Sequence, residues 1–227
     1  KNIVNIKRGE GKMVLTFFCF SFFMVAMGLV AKTAKDAYFL SRFEKSILPL
    51  MFLGVAVVIA PVLTYYTKVS KQLSPRLLFM ITSSIFISSF IIVQPMITGW
   101  VVPTVYIWIE LVVGIMIIQF WGYAAESFEP QQAKRLFGII GGGGSFAVML
   151  VGMNLKPFVK IFGTDELLFV AAGLLALTMF FGLNAIGYIK KSTTKKTSST
   201  TKKKKEKKKD PFIIGIGTIV FLSAVVT

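Results

Sequence analysis

The sequence predicts an all-α membrane protein, a six-helix transmembrane bundle followed by the start of a seventh helix. Three observations lead there. The 227 residues are 55% hydrophobic with a mean hydropathy of +0.73, yet they carry a formal charge of +16, a combination ordinary soluble domains do not show. Apolar runs of roughly 20 residues, enough to cross a hydrocarbon core about 30 Å thick, recur along almost the whole length. The charges fall mostly between those runs. Composition also narrows the chemistry. There is no histidine, and the single cysteine, Cys19, lies inside an apolar run. The commonest acid/base group and metal ligand is therefore missing, and neither a disulfide nor a thiolate metal site can be built. We expect no enzyme activity, no catalytic residues, no metal and no cofactor.

Taken in order, the runs fall at 13–31, 46–66, 77–97, 100–122, 137–155 and 166–189, with a shorter one from 211. The first, "MVLTFFCFSFFMVAMGLVA", has no clear small-residue cleavage site and reads as a span rather than a signal peptide. Helix-compatible spacing lets it continue through "KTAKDAYFL". The second run lies between Lys45 and Lys68. The third and sixth, "LLFMITSSIFISSFIIVQPM" and "LLFVAAGLLALTMFFGLNAIGYI", carry no charge at depth and read as packing helices. The fourth contains "IWIELVVGIM", which places Glu110 in hydrocarbon. The fifth contains "GIIGGGGSFAVMLVG", which invites a phosphate-loop reading, but no Gly-Lys-Ser/Thr follows. Gly138, Gly142 and Gly152 instead suit a small-residue face for tight helix packing in lipid. The last run, "PFIIGIGTIVFLSAVVT", stops short of a full span, and residue 1 is Lys. We therefore read the sequence as a piece of a longer chain.

Lys and Arg set the orientation. With the N-terminus inside, twenty of them lie in inner segments and six in outer ones, which favours a cytoplasmic N-terminus; the expected location is the cell (inner) membrane. Eleven belong to "KKSTTKKTSSTTKKKKEKKKD", residues 190–210. Without apolar residues this stretch cannot pack, and it reads as a disordered cytoplasmic linker. Its other reading is a patch for anionic lipid headgroups. Nucleic acid is not the expected partner of a chain tethered in the lipid bilayer. The expected organisation is thus a bundle over 1–189, a linker over 190–210 and a truncated seventh helix over 211–227. Six helices, a long basic linker and a new helix form the layout of a protein with two six-helix halves, as in the major facilitator architecture.

Glu110 lies about 13 Å from the outer end of its run at 1.5 Å per residue, where an acid costs about 2.5 to 3.5 kcal/mol. Intramembrane acids face the bundle interior or a wet cavity and mark ion or substrate paths. The alternative is a structural carboxylate, bonded to a neighbouring helix or kept protonated by desolvation. In "AKTAKDAYFLSRFEK", Lys32 and Asp36 stand four apart and are placed to pair along one helical face. That leaves Lys35 on a neighbouring face as a free cation for an anion. Were the helix to end near residue 31, all three would be a solvated loop. Gln119 continues the Glu110 helix inward, while Glu126 and Glu129 fall in the cytoplasmic loop that follows. The candidate substrate-binding residues are Lys35, Glu110, Lys32, Asp36 and Gln119.

The stretch "FWGYAAESFEPQQAKRLFGIIGGGGS", residues 120–145, resembles the nucleotide transporter family (ATP/ADP translocases, NTP/NDP exchangers) of intracellular bacteria and plastids, together with its free-living bacterial relatives. The likeness lies in Phe-Trp-Gly-hydrophobic-Ala, followed by Gln-Ala-Lys-Arg-hydrophobic-hydrophobic and a small-residue helix. "KTAKDAYFLSRF" is similar to the first-helix Lys-Asp segment of the same family. The loop "TKVSKQLSPR" keeps basic residues but lacks the acid of the broader facilitator gating loop. The resemblance implies a twelve-helix, major-facilitator-like carrier exchanging nucleotides by alternating access, with Lys35 in anion binding and Glu110 in transport. The alternatives are a proton-coupled transporter of another small anionic solute and a non-transporting membrane anchor or scaffold.

Overall fold

The computed structural model describes residues 10–70, 72–97, 99, 101–164 and 166–197. They form six helices: α1 (Gly11–Leu40), α2 (Leu48–Ser70), α3 (Pro75–Val93), α4 (Val101–Ser127), α5 (Pro130–Phe162) and α6 (Leu167–Thr197). Short 3-10 turns, Lys45–Ile47 and Gln94–Met96, lead into α2 and out of α3. All six helices include a stretch long and apolar enough to cross a membrane, and the described residues contain no strand. This is an all-α membrane bundle.

In lipid every backbone N–H and C=O must find its partner within the segment. That constraint explains how α5 stays helical through Gly141–Gly144, although each glycine is about 1 kcal/mol less helix-prone than alanine. Local signals punctuate the helices where water returns. Ser74 accepts from the Leu77 N–H ahead of Pro75 at the start of α3. Glu129 and Gln132 close a capping box ahead of Pro130 at the start of α5. Gly163, with φ 83°, ends α5 in the left-handed region that a side chain would strain.

Three helices outrun their hydropathy. α1 continues from 31 to Leu40 because neither Gly nor Pro interrupts the chain between Gly28 and Pro49, so Lys32, Lys35 and Asp36 are helical and not loop. α5 starts at Pro130, seven residues before its apolar run. α6 continues to Thr197, into the basic stretch expected to be disordered from 190, again with no Gly or Pro to stop it. The rest of that stretch, 198–210, and the seventh run, 211–227, lie outside the described residues.

α1 and α4 form the centre, and half of the most apolar window of each is buried. They run antiparallel in a register marked by Phe17 against Phe120, Gly28 against Val113, and Lys35 against Tyr106. Edge-on aromatic contacts fix one end: Phe20 meets Phe120 at 5.1 Å and Phe79 at 5.6 Å, and Phe79 meets Tyr123 at 5.7 Å. α5 lies along α1, and the glycines that permit this are not the expected ones. A Cβ on Gly143 would collide with the Phe18 carbonyl oxygen, and one on Gly144 would stand 3.1 Å from Val25. At Gly138, Gly142 and Gly152 it would meet nothing within 4 Å.

Candidate functional site

Glu110 lies nine residues into α4, about 13 Å along the axis. Its carboxylate bridges two lysines of α1: Oε1 is 2.9 Å from Lys35 Nζ and Oε2 is 3.4 Å from Lys32 Nζ. Lys35 Nζ also reaches Asp36 Oδ1 at 3.3 Å and sits 3.5 Å above the centroid of the Tyr106 ring. Lys32, Lys35, Asp36 and Glu110 therefore make one charge-balanced cluster. The two helices deliver it by simple spacing: Lys32, Lys35 and Asp36 fall within one turn and a half of α1, while Tyr106 and Glu110 are four apart on α4.

This differs from the expected pairing. Asp36 bonds to Lys35, and no Lys32–Asp36 ion pair forms; Lys32 turns to Glu110 instead. Nor is Lys35 a free cation. It is 3% exposed and shares its charge with two carboxylates and an aromatic face. A half-buried carboxylate facing another helix has lost more water than an exposed one on the same helix, so it gains more from each ammonium. A same-helix pair four apart is worth only about 0.2 to 0.5 kcal/mol.

The cluster is graded across its width. The Lys35 side chain is 4% exposed and that of Glu110 19%, while those of Lys32 and Asp36 are 47% and 51% exposed. A half-exposed lysine beside Glu110, well inside the span, would be costly against hydrocarbon. Below Lys32 a groove of about 160 Å³ opens between α1 and α4, lined by Met24, Val25, Leu29, Val113 and Ile117 and floored by Gly28.

Gln119 is not part of this cluster. It lies nine residues further along α4, about 13 Å away, where its Nε2 donates to Tyr66 Oη at 2.6 Å and Thr82 Oγ1 at 2.8 Å. It is buried and ties α2 and α3 to α4. Glu126 is exposed in the last turn of α4, and Glu129 caps α5.

Sequence reasoning missed two further groups. Tyr106 stands one helical turn before Glu110, and that spacing was the available signal. Glu10, at the start of α1, accepts from Arg135 Nη2 at 2.5 Å and from Gln132 Nε2 at 3.0 Å, joining the starts of α1 and α5. No local signal links residues 125 positions apart.

The chain matches no protein-family model, no curated protein and no solved structure.

Proposed function

We propose that this chain belongs to a membrane transporter that exchanges nucleotides of the ATP/ADP type by alternating access. The supporting observation is the neutral cluster of Lys32, Lys35, Asp36 and Glu110, buried on one side and half exposed on the other. In the empty site Glu110 and Asp36 together neutralise the two lysines, with Glu110 in contact with both. A phosphate chain arriving at the exposed Lys32 competes for the same ammonium groups, and Glu110 is released as its counter-charges turn to the substrate. The Tyr106 ring holds the Lys35 ammonium in place through this exchange. A site with two alternative sets of ion pairs has two conformations with different affinity for the anion, which is the thermodynamic requirement for substrate to drive the change. The choice of a nucleotide over another anion rests on the likeness of "FWGYAAESFEPQQAKRLFGIIGGGGS" to the nucleotide transporters.

Uptake of labelled ATP into proteoliposomes loaded with ADP, using the full-length gene product, tests the proposal. The expected result is exchange that falls at least tenfold in Glu110→Gln and in Lys35→Ala. Undiminished exchange in both variants would remove the pair from the mechanism. Uptake that follows an imposed pH gradient and ignores nucleotides would instead support a proton-coupled carrier of another solute, and no uptake of any anion would support an anchor or scaffold.

A further inference from the structure

We infer that the cleft between the start of α1 and the end of α6 is a seat for one anionic phospholipid. It is a site separate from the Lys35–Glu110 cluster and independent of any transport role. The two helices are bridged by Phe23 stacked on Phe181, ring centroids 5.3 Å apart at 13°. Beyond that stack a wedge of about 500 Å³ opens between them. Its lining changes character along the helix axes. Phe181 and Leu15 form the apolar part, and Lys12, Thr16, Asn184 and Tyr188 form the polar rim.

That order matches the membrane. Lys12 is the second residue of α1 and Tyr188 the second-to-last residue of the apolar span of α6, so the rim lies at the interface, where tyrosine and lysine are favoured. Phe181 lies seven residues deeper, about 10 Å. Above it the same face of α6 continues as exposed Leu177 and Phe180, with no charged residue between Leu167 and Ile189. Acyl chains thus have an uninterrupted apolar track leading away from the rim. The charge favours an anion: Lys12 has no ion-pair partner among the described residues, since neighbouring Glu10 is taken by Arg135. A wedge between two spans with a lysine and hydrogen-bonding side chains at its mouth and an apolar wall beyond suits an anionic headgroup with its acyl chains. A soluble anion would use the rim but not the track.

The test measures lipid retention and thermal unfolding of the full-length protein with phosphatidylglycerol, phosphatidylcholine or free sn-glycerol 3-phosphate. The expected result is one phosphatidylglycerol retained per chain in native mass spectrometry, with a rise in melting temperature that neither other probe produces. Lys12→Glu should weaken retention at least fivefold. Gly187→Leu, which fills the cleft without changing charge, should do the same, because a Cβ at Gly187 meets nothing within 4 Å and its side chain enters open space. Replacing the seven lysines of 202–209 with Gln should leave the one-lipid occupancy intact. The inference is overturned if phosphatidylcholine is held as well, if free glycerol phosphate stabilises as strongly, or if the 202–209 variant loses the lipid while Lys12→Glu and Gly187→Leu keep it.

Discussion

Lys35 keeps its charge out of water because three neighbours share it: Glu110 at 2.9 Å, Asp36 at 3.3 Å and the Tyr106 ring at 3.5 Å. Removing one member of a buried pair leaves the other uncompensated, a loss of about 3 to 5 kcal/mol when the pair stands alone. Here Asp36 still serves Lys35, so Glu110→Gln should cost less, about 2 kcal/mol. Lys35→Met should cost less again, because Lys32 remains on Glu110. The double variant Lys35→Met/Glu110→Gln should recover most of the loss, as both desolvated charges then disappear together. Melting temperatures of the four proteins in detergent form a double-mutant cycle, with an expected coupling above about 1 kcal/mol. Additive effects would mean that the two side chains do not act as a pair. Glu110 and Lys35 were legible in the sequence because a charge inside hydrocarbon is rare. Their partners were not, because spacing along one helix favoured Lys32 with Asp36, and only the docking of α4 reveals a stronger competitor.

At the scale of elements, the α1–α5 contact depends on two glycines. Gly143→Ala puts a methyl group against the Phe18 backbone carbonyl, which cannot swing aside as a side chain can. The helices must part, and the expected cost is about 1 to 3 kcal/mol. Gly138→Ala and Gly142→Ala meet open space and should be neutral or stabilising by up to about 1 kcal/mol through helix propensity. Thermal melts of the three variants check the contrast; equal stability of Gly143→Ala and Gly142→Ala would mean that α1 and α5 do not approach so closely. "GGGG" made close packing legible, but four successive glycines cover every side of a helix. Which of them faces α1 depends on a rotation that the sequence of α5 alone does not contain. Cap residues mark helix ends at Ser74, Glu129 and Gly163, but the apolar runs 77–97 and 137–155 stop short of them. The continuation of α1 through Leu40 was legible in helix-compatible spacing, whereas that of α6 to Thr197 was not, because hydropathy stops before the helix does.

For the whole molecule, hydropathy alone yields six spans, because the length and apolarity that a bilayer demands are properties of each segment by itself. The register of α1 on α4 and the link from Glu10 to Arg135 join distant positions and emerge only on assembly. One consequence of that assembly can be measured without knowing the substrate. If the half-exposed edge of the charge cluster borders water, the groove beneath Lys32 is wet, although it lies within the span. In a Cys19→Ala background, Leu29→Cys reports on the groove and Leu177→Cys on the exposed apolar face of α6. In sealed proteoliposomes carrying the full-length protein, a charged, water-soluble thiol reagent should modify Leu29→Cys, more slowly when ATP is present, and should spare Leu177→Cys. If Leu29→Cys stays unreactive until detergent dissolves the membrane, the cluster borders no water and the transport mechanism built on it is wrong.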